Sequence, residues 1–176
     1  MNNNRKKYYE FLHSDVIKAD NKFLEELIEK ACQNDMGKYR YCLHESEESN
    51  IQEMIFVNLK GTYAPPDKHQ YCAETKIILY GEAWIILFQE DGEIREIILA
   101  SAQNTRLCRV EKGIYHAVVP ISEQVVFYEI REGRFTSDMT TYPLWAPKDA
   151  SESEKKNYEI MINEAIRKWR HENVCT

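Results

Sequence analysis

Apolar residues along the chain follow two different periods, and the change between them divides the sequence into three parts. Phe23, Leu24, Leu27, Ile28 and Ala31 recur at helical spacing behind Asp20 or Asn21, either of which can cap the helix, and Asn34-Asp35-Met36-Gly37 ends it. Ahead of this helix, Tyr8, Tyr9, Phe11 and Leu12 suggest a short first helix resting on the domain. From about Arg40 to Glu132 the period shortens to alternating β-branched and aromatic residues. Strands are expected at 54–59, 75–80, 83–89, 93–99, 106–110, 114–119 and 124–130, with Gly81-Glu82, Asp91-Gly92 and Lys112-Gly113 as reversals. Seven strands without intervening helices leave no room for parallel crossovers and predict an antiparallel sandwich or jelly roll.

The tail returns to helical periodicity. Ser151-Glu152-Ser153-Glu154 fits a capping box, and Tyr158, Met161, Ile162, Ala165, Ile166 and Trp169 form one apolar stripe. Such a stripe must be covered, either by the outside of the barrel or by a second copy in a homodimer. The expected organisation is a helical extension over 1–36, a β barrel over 37–147 and a C-terminal helix over 148–176, joined by a short linker at 147–150.

Composition narrows the partners. Across 176 residues, 23 basic and 29 acidic side chains give a net charge of −6, which offers no broad cationic surface to a nucleic acid. No run approaches the roughly 20 apolar residues that span a bilayer, and Met1 to Lys7 lacks the apolar core of a secretory signal, so a cytoplasmic location is expected, away from membranes. Five cysteines, odd in number and without a CxxC pair, read as reduced thiols.

The chemistry concentrates in Gly61 to Glu74 and Gly113 to His116. Asp67 and His69 are two apart, so on an extended segment they share a face, and Glu74 and His116 arrive from other strands. These four are donors of the kind that hold a divalent transition metal. Alternation from Glu74 also turns Lys76 inward, where its ammonium could neutralise the carboxylates instead. Arg40 suits a bidentate clamp on a carboxylate or phosphate, or a surface ion pair, and His44 beside it could line the mouth or make a structural hydrogen bond. Tyr63 and Tyr71 flank the first motif as potential stacking platforms for a sugar, whereas Tyr115 and Trp84 fit a core role as well. Cys72, His13 and His171 carry no comparable signal.

In order, Arg40-Tyr41-Cys42-Leu43-His44, Gly61-Thr62-Tyr63, Pro66-Asp67-Lys68-His69, Glu74, Gly81, Gly113-Ile114-Tyr115-His116, the segment Tyr128 to Phe135 and Leu144-Trp145-Ala146-Pro147 resemble the cupin superfamily. The likeness is greatest to the WbuC-type cupin-fold metalloproteins of surface-polysaccharide gene clusters. That resemblance implies a mainly β cupin fold, a double-stranded β-helix (jelly roll) with helices at both ends. It implies a mononuclear site for Fe, Mn, Ni or Zn at Asp67, His69, Glu74 and His116, with Arg40, His44, Tyr63 and Lys76 around a small polar ligand such as a sugar or organic anion. Metal-dependent isomerisation or oxygen chemistry follows as one expectation, and metal-free ligand binding or sensing as another. Two positions depart from the family pattern: Asp67 replaces a histidine, and Lys76 replaces an apolar or aromatic residue.

Overall fold

The computed structural model describes residues 7–136 and 138–173. Among them, the chain runs β1 (Tyr9–Phe11), α1 (Asn21–Cys32), β2 (Lys38–Cys42), β3 (Ile51–Leu59), β4 (Lys68–His69), β5 (Glu74–Tyr80), β6 (Glu82–Phe88), β7 (Ile94–Ser101), β8 (Leu107–Val110), β9 (Tyr115–Pro120), β10 (Gln124–Glu132), β11 (Thr140–Thr141) and α2 (Glu152–Asn173). A six-stranded sheet in the order β1-β2-β3-β10-β5-β8 faces a three-stranded sheet, β7-β6-β9, and β4 pairs with β11 beside them. Apart from the β1–β2 contact, the paired strands are antiparallel.

Side-chain alternation decides what each face meets. On the outer face of the large sheet, Tyr41, Ile55, Val57 and Val126 pack on Leu27 and Ala31 of α1. The inner face carries Phe56 stacked on Phe127, with ring centroids 5.2 Å apart. Residues 83–88 of β6 are all buried, so both faces of that strand are covered. Ala83, Ile85 and Leu87 turn inward to Ile78, Val110, Val118, Val125 and Phe127, whereas Trp84, Ile86 and Phe88 turn outward to Tyr158, Ile162 and Ile166 of α2. The C-terminal stripe therefore packs within the chain, reinforced by Trp84 against Trp169 at 5.4 Å.

Both helices start as their sequences dictate. The Asp20 carboxylate accepts from the Phe23 N–H at 3.0 Å, and the Ser151 hydroxyl and N–H both donate to Glu154, which holds that exposed carboxyl below its usual range. At the β6–β7 hairpin Gly92 has φ 95°, and a Cβ there would meet the Trp145 indole at 2.9 Å. The hairpin tip and the segment before α2 are thus locked together.

The short helix expected around Tyr8 to Leu12 is instead β1. Its main chain is taken up by the free edge of β2, through Arg40 N–H to Tyr8 O at 3.0 Å and Leu12 N–H to Cys42 O at 2.9 Å. Three residues gain more from an existing sheet edge than from a helix too short to repay its nucleation. Cys32, Cys42, Cys72 and Cys108 are free thiols, and Cys175 lies outside the described residues. No described helix is long and apolar enough to cross a membrane.

Because Ile162 is 2% exposed under the small sheet and Ile160, on the same helix, is 48% exposed, their truncations separate packing from propensity. Ile162→Ala is expected to cost about 2–5 kcal/mol in urea unfolding. Ile160→Ala is expected to stay within about 0.5 kcal/mol, and equal costs at the two positions would refute this placement of α2.

Candidate metal centre

The inner faces of the two sheets enclose an apolar half and a polar half. Down β5 the inward positions read Glu74, Lys76, Ile78, and along β10 they read Arg131, Glu129, Phe127. The strand register sets Glu74 opposite Arg131 and Lys76 opposite Glu129, so two rungs of opposite charge stand above the stacked phenylalanines. All four side chains are buried.

The two sequence motifs are joined through their backbones. Asp67 N–H donates to His116 O at 3.0 Å and His116 N–H returns to Asp67 O at 2.9 Å, an isolated antiparallel bridge. Gly113 N–H donates to His69 O at 2.8 Å, while β4 sets His69 opposite Thr140 of β11. Residues 67–69 are therefore held on both sides. Asp67 and His69 face inward, and Lys68 between them points out to Glu90 at 2.6 Å.

Donor atoms of Asp67, His69 and His116 lie within 4.8 Å of one another. His69 Nε2 is 2.5 Å from Glu74 Oε2, and His116 Nε2 is 3.2 Å from the same oxygen and 3.9 Å from Asp67 Oδ1. Lys76 Nζ is bonded to Glu74 Oε1, 3.3 Å from Glu129 Oε2 and 3.4 Å from His116 Nε2.

These partners fix the tautomers. His116 Nδ1 lies 3.1 Å from Ile114 O, which can only accept, so Nδ1 carries the proton and the Nε2 lone pair faces the centre. The Glu74 carboxylate likewise accepts from His69 Nε2–H, leaving Nδ1 to accept from the Thr140 hydroxyl at 3.3 Å. Burial depresses both imidazoles, with Lys76 adding to the effect at His116, and His69 falls to about 4. Burial opposes ionisation of Glu129, but Lys76 and Arg131 outweigh it and hold that carboxyl below its usual range.

Two neutral imidazoles and one carboxylate suit a divalent ion. The His116 lone pair is already presented, and Asp67 is partly open to solvent. To ligate through Nε2 as a neutral imidazole, His69 must switch tautomer, carrying its proton on Nδ1, where the Thr140 hydroxyl oxygen can accept it. Glu74, the fourth donor expected from sequence, is instead engaged by Lys76 and His69. A metal site of Asp67, His69 and His116 therefore fits, with Glu74 beside it as a charge-balanced acceptor.

Other expected site residues divide. Lys76 enters the centre. His44 is buried and 2.9 Å from Glu53 O through Nδ1, the structural hydrogen bond of its two alternatives. The Arg40 guanidinium lies over Tyr8, Tyr9 and Phe56 at 5.5, 5.0 and 5.3 Å and makes no ion pair among the described residues. Tyr63 is not brought to the centre, since its hydroxyl donates to Pro147 O at 2.9 Å and its ring packs on Tyr158. Trp84 and Tyr115 pack in the cluster under α2, and Tyr71 is exposed. Sequence reasoning missed Glu129 and Arg131 as site residues, although the alternation that turned Lys76 inward applies equally to β10. A surface depression of about 660 Å³ near Tyr80, Glu82 and Gln124 lies at the other end of β5 from Glu74 and shares none of these groups.

Comparison with known proteins bears on the fold. Residues 19–100 match the family described as Domain of unknown function (DUF6016), a span that includes Asp67, His69, Glu74 and Lys76 but ends before His116. No curated protein sequence gives a significant match. Protein SO0799 from Shewanella oneidensis is similar over 72% of this chain and 85% of its own, at 13% identity and TM-score 0.54. The capsular polysaccharide assembling protein CapF from Staphylococcus aureus is similar over 62% of this chain at 15% identity and TM-score 0.50. The fold is of the cupin type. Oxalate decarboxylase from Bacillus subtilis is also similar, at 18% identity and TM-score 0.47 over 60% of this chain. This chain spans 31% of CapF and 27% of that decarboxylase.

The depressed His69 has a signed consequence for stability. Between its folded value of about 4 and its ordinary 6.5 the unfolded chain binds the additional proton. The stabilisation is full above 6.5 and is lost as pH falls toward 4. Urea midpoints of metal-free protein are expected to decline across that interval, with the His69 imidazole remaining neutral by NMR; titration of His69 near 6.5 would contradict the hydrogen-bonded geometry.

Proposed function

We propose that the protein is a cupin-type metalloprotein that binds a divalent transition metal at Asp67, His69 and His116 and acts on, or binds, a small polar metabolite in the barrel. The observation that carries this reading is the convergence of three donors, two of them neutral imidazoles, on one buried point from two segments bridged by backbone hydrogen bonds. A bound ion would supply Lewis acidity toward a carbonyl or hydroxyl oxygen. Fe, Mn, Ni and Zn all suit the donor set.

The chain's own groups set the conditions around that ion. His116 is oriented by Ile114 O, and Glu74 holds His69 by accepting its Nε2–H, a bond that the switch to the Nδ1–H tautomer would release when an ion binds. Lys76 pairs with both Glu74 and Glu129, and Arg131 adds a second cation opposite Glu74 in the strand register, so these carboxylates are not left uncompensated. A sugar or sugar-derived metabolite as substrate extends from the motif resemblance to WbuC-type cupins. CapF, whose name refers to capsular polysaccharide, shares the fold.

A second reading rests on a specific contact. The Lys76 ammonium already provides positive charge beside Glu74, Glu129 and His116, which favours a metal-free binding or sensing module. Metal content and stability distinguish the two. Full-length protein is expected to take up one divalent ion per chain, and His116→Ala to lose it. Lys76→Met is expected to lose about 3–5 kcal/mol without metal, because two buried carboxylates lose their counter-ion. Metal at a hundred times Kd is expected to restore about 2.7 kcal/mol. Substoichiometric uptake by the wild type, or uptake unaffected by His116→Ala, would leave the metal-free reading.

A further inference from the structure

We propose that the barrel holds an oxyanion subsite running from partly exposed Lys38, Arg40 and the Tyr142 hydroxyl inward to buried Arg131 beside His69, which seats the carboxylate or phosphate of an anionic metabolite. This deepens the reading of the barrel as a small-molecule site by assigning the charge of the ligand, and its binding step does not require the metal.

The first support is unsatisfied hydrogen-bonding capacity. The Nε atoms of Arg40 and Arg131 are buried without a hydrogen-bond partner. Arg131 is 6% exposed, stands opposite Glu74 in the strand register and reaches His69 Nε2 at 3.4 Å, so its guanidinium lies inside the chamber. Because His69 Nε2 carries a proton toward Glu74, it cannot also accept from Arg131. Among the described residues, no carboxylate lies within ion-pairing distance of either guanidinium. Buried donors of this kind are costly unless a partner completes them.

The second support is the charge balance. Lys38 and Arg40 are alternate residues of β2 and share the inward face with Phe56 and Asn58 of β3. With neutral imidazoles, Lys38, Arg40, Lys76 and Arg131 outnumber the carboxylates Asp67, Glu74 and Glu129, and Lys76 is already committed to the last two. The Cys42 thiol beside Arg40 is pushed up by burial and supplies no anion. Burial, Arg40 and Lys148 lower Lys38 against the opposing pull of Asp67, a penalty that a bound anion would relieve. Tyr142 is raised by burial, with Asp67 and Tyr8 adding and Arg131 and Arg40 opposing, so its phenol stays protonated and able to donate.

The third support is access and preorganisation. Lys38, Arg40, Asp67 and Tyr142 are partly exposed, whereas Arg131, like His69, Glu74 and His116, is buried. The Tyr8, Tyr9 and Phe56 rings hold the Arg40 guanidinium in place, which limits the ordering required when an oxyanion docks. An anionic ligand entering this opening meets the guanidinium groups with its charged end while the rest extends toward Asp67 and His116.

Calorimetric titration of the full-length, chelator-treated protein with inorganic phosphate and, separately, with malonate tests the subsite. One-to-one binding of at least one probe is expected, weakened about tenfold or more by Arg40→Gln and by Lys38→Gln. Preference for phosphate identifies a phosphorylated ligand, and preference for malonate a carboxylate. Lys38→Gln, at a partly exposed position, keeps the test available should Arg40→Gln fail to fold. Absence of binding by both probes, or affinities unchanged in the folded variants, overturns the proposal. Anion binding by a chain that takes up no metal would sink the metal reading alone.

Discussion

Burying carboxylates inside a β barrel requires compensating charge, and Lys76, paired with both Glu74 and Glu129, supplies it together with Arg131. The pairing is possible only because β5 and β10 run antiparallel in the register that sets Lys76 opposite Glu129 and Arg131 opposite Glu74. A slip of β5 by one residue against β10 would turn Glu74 and Lys76 to the outer face and move Thr75 and Ile77 into the chamber, leaving Glu129 and Arg131 without them. The register of this strand pair thus sets both the stability of the sheet and the composition of the site.

Packing outside the barrel makes that interior possible. Each sheet gives one face to a helix, with α1 over Ile55, Val57 and Val126 and α2 over Trp84, Ile86 and Phe88. With so much apolar surface buried outside and in the lower chamber, the fold tolerates a polar upper chamber whose hydrogen bonds are incompletely satisfied. The stacked Phe56 and Phe127 rings lie on the inner face where the two regimes meet.

The site has graded chemistry from solvent inward. Partly exposed Lys38, Arg40, Asp67 and Tyr142 give way to a buried layer in which neutral His69 and His116 stand beside ion-paired Glu74, Lys76 and Glu129. A ligand arriving from solvent loses its water first beside cations and only afterwards beside neutral donors. That order favours an anionic group at the mouth and a polarisable oxygen near the imidazoles.

Much of this was legible in the chain itself. Local periodicity determined both long helices with their caps and seven barrel strands close to their observed limits, because alternation and helical spacing are properties of neighbouring residues. It also determined that Lys76 faces inward. It did not reveal β2, nor β1, β4 and β11, whose two or three residues are strands only because a distant edge accepts their backbone bonds. Nor did it show Glu74 held by Lys76 and His69, place Tyr63 against α2, or bring Arg131 beside His69. Those outcomes depend on distances between segments far apart in sequence, and such distances exist only once the two sheets have closed on each other.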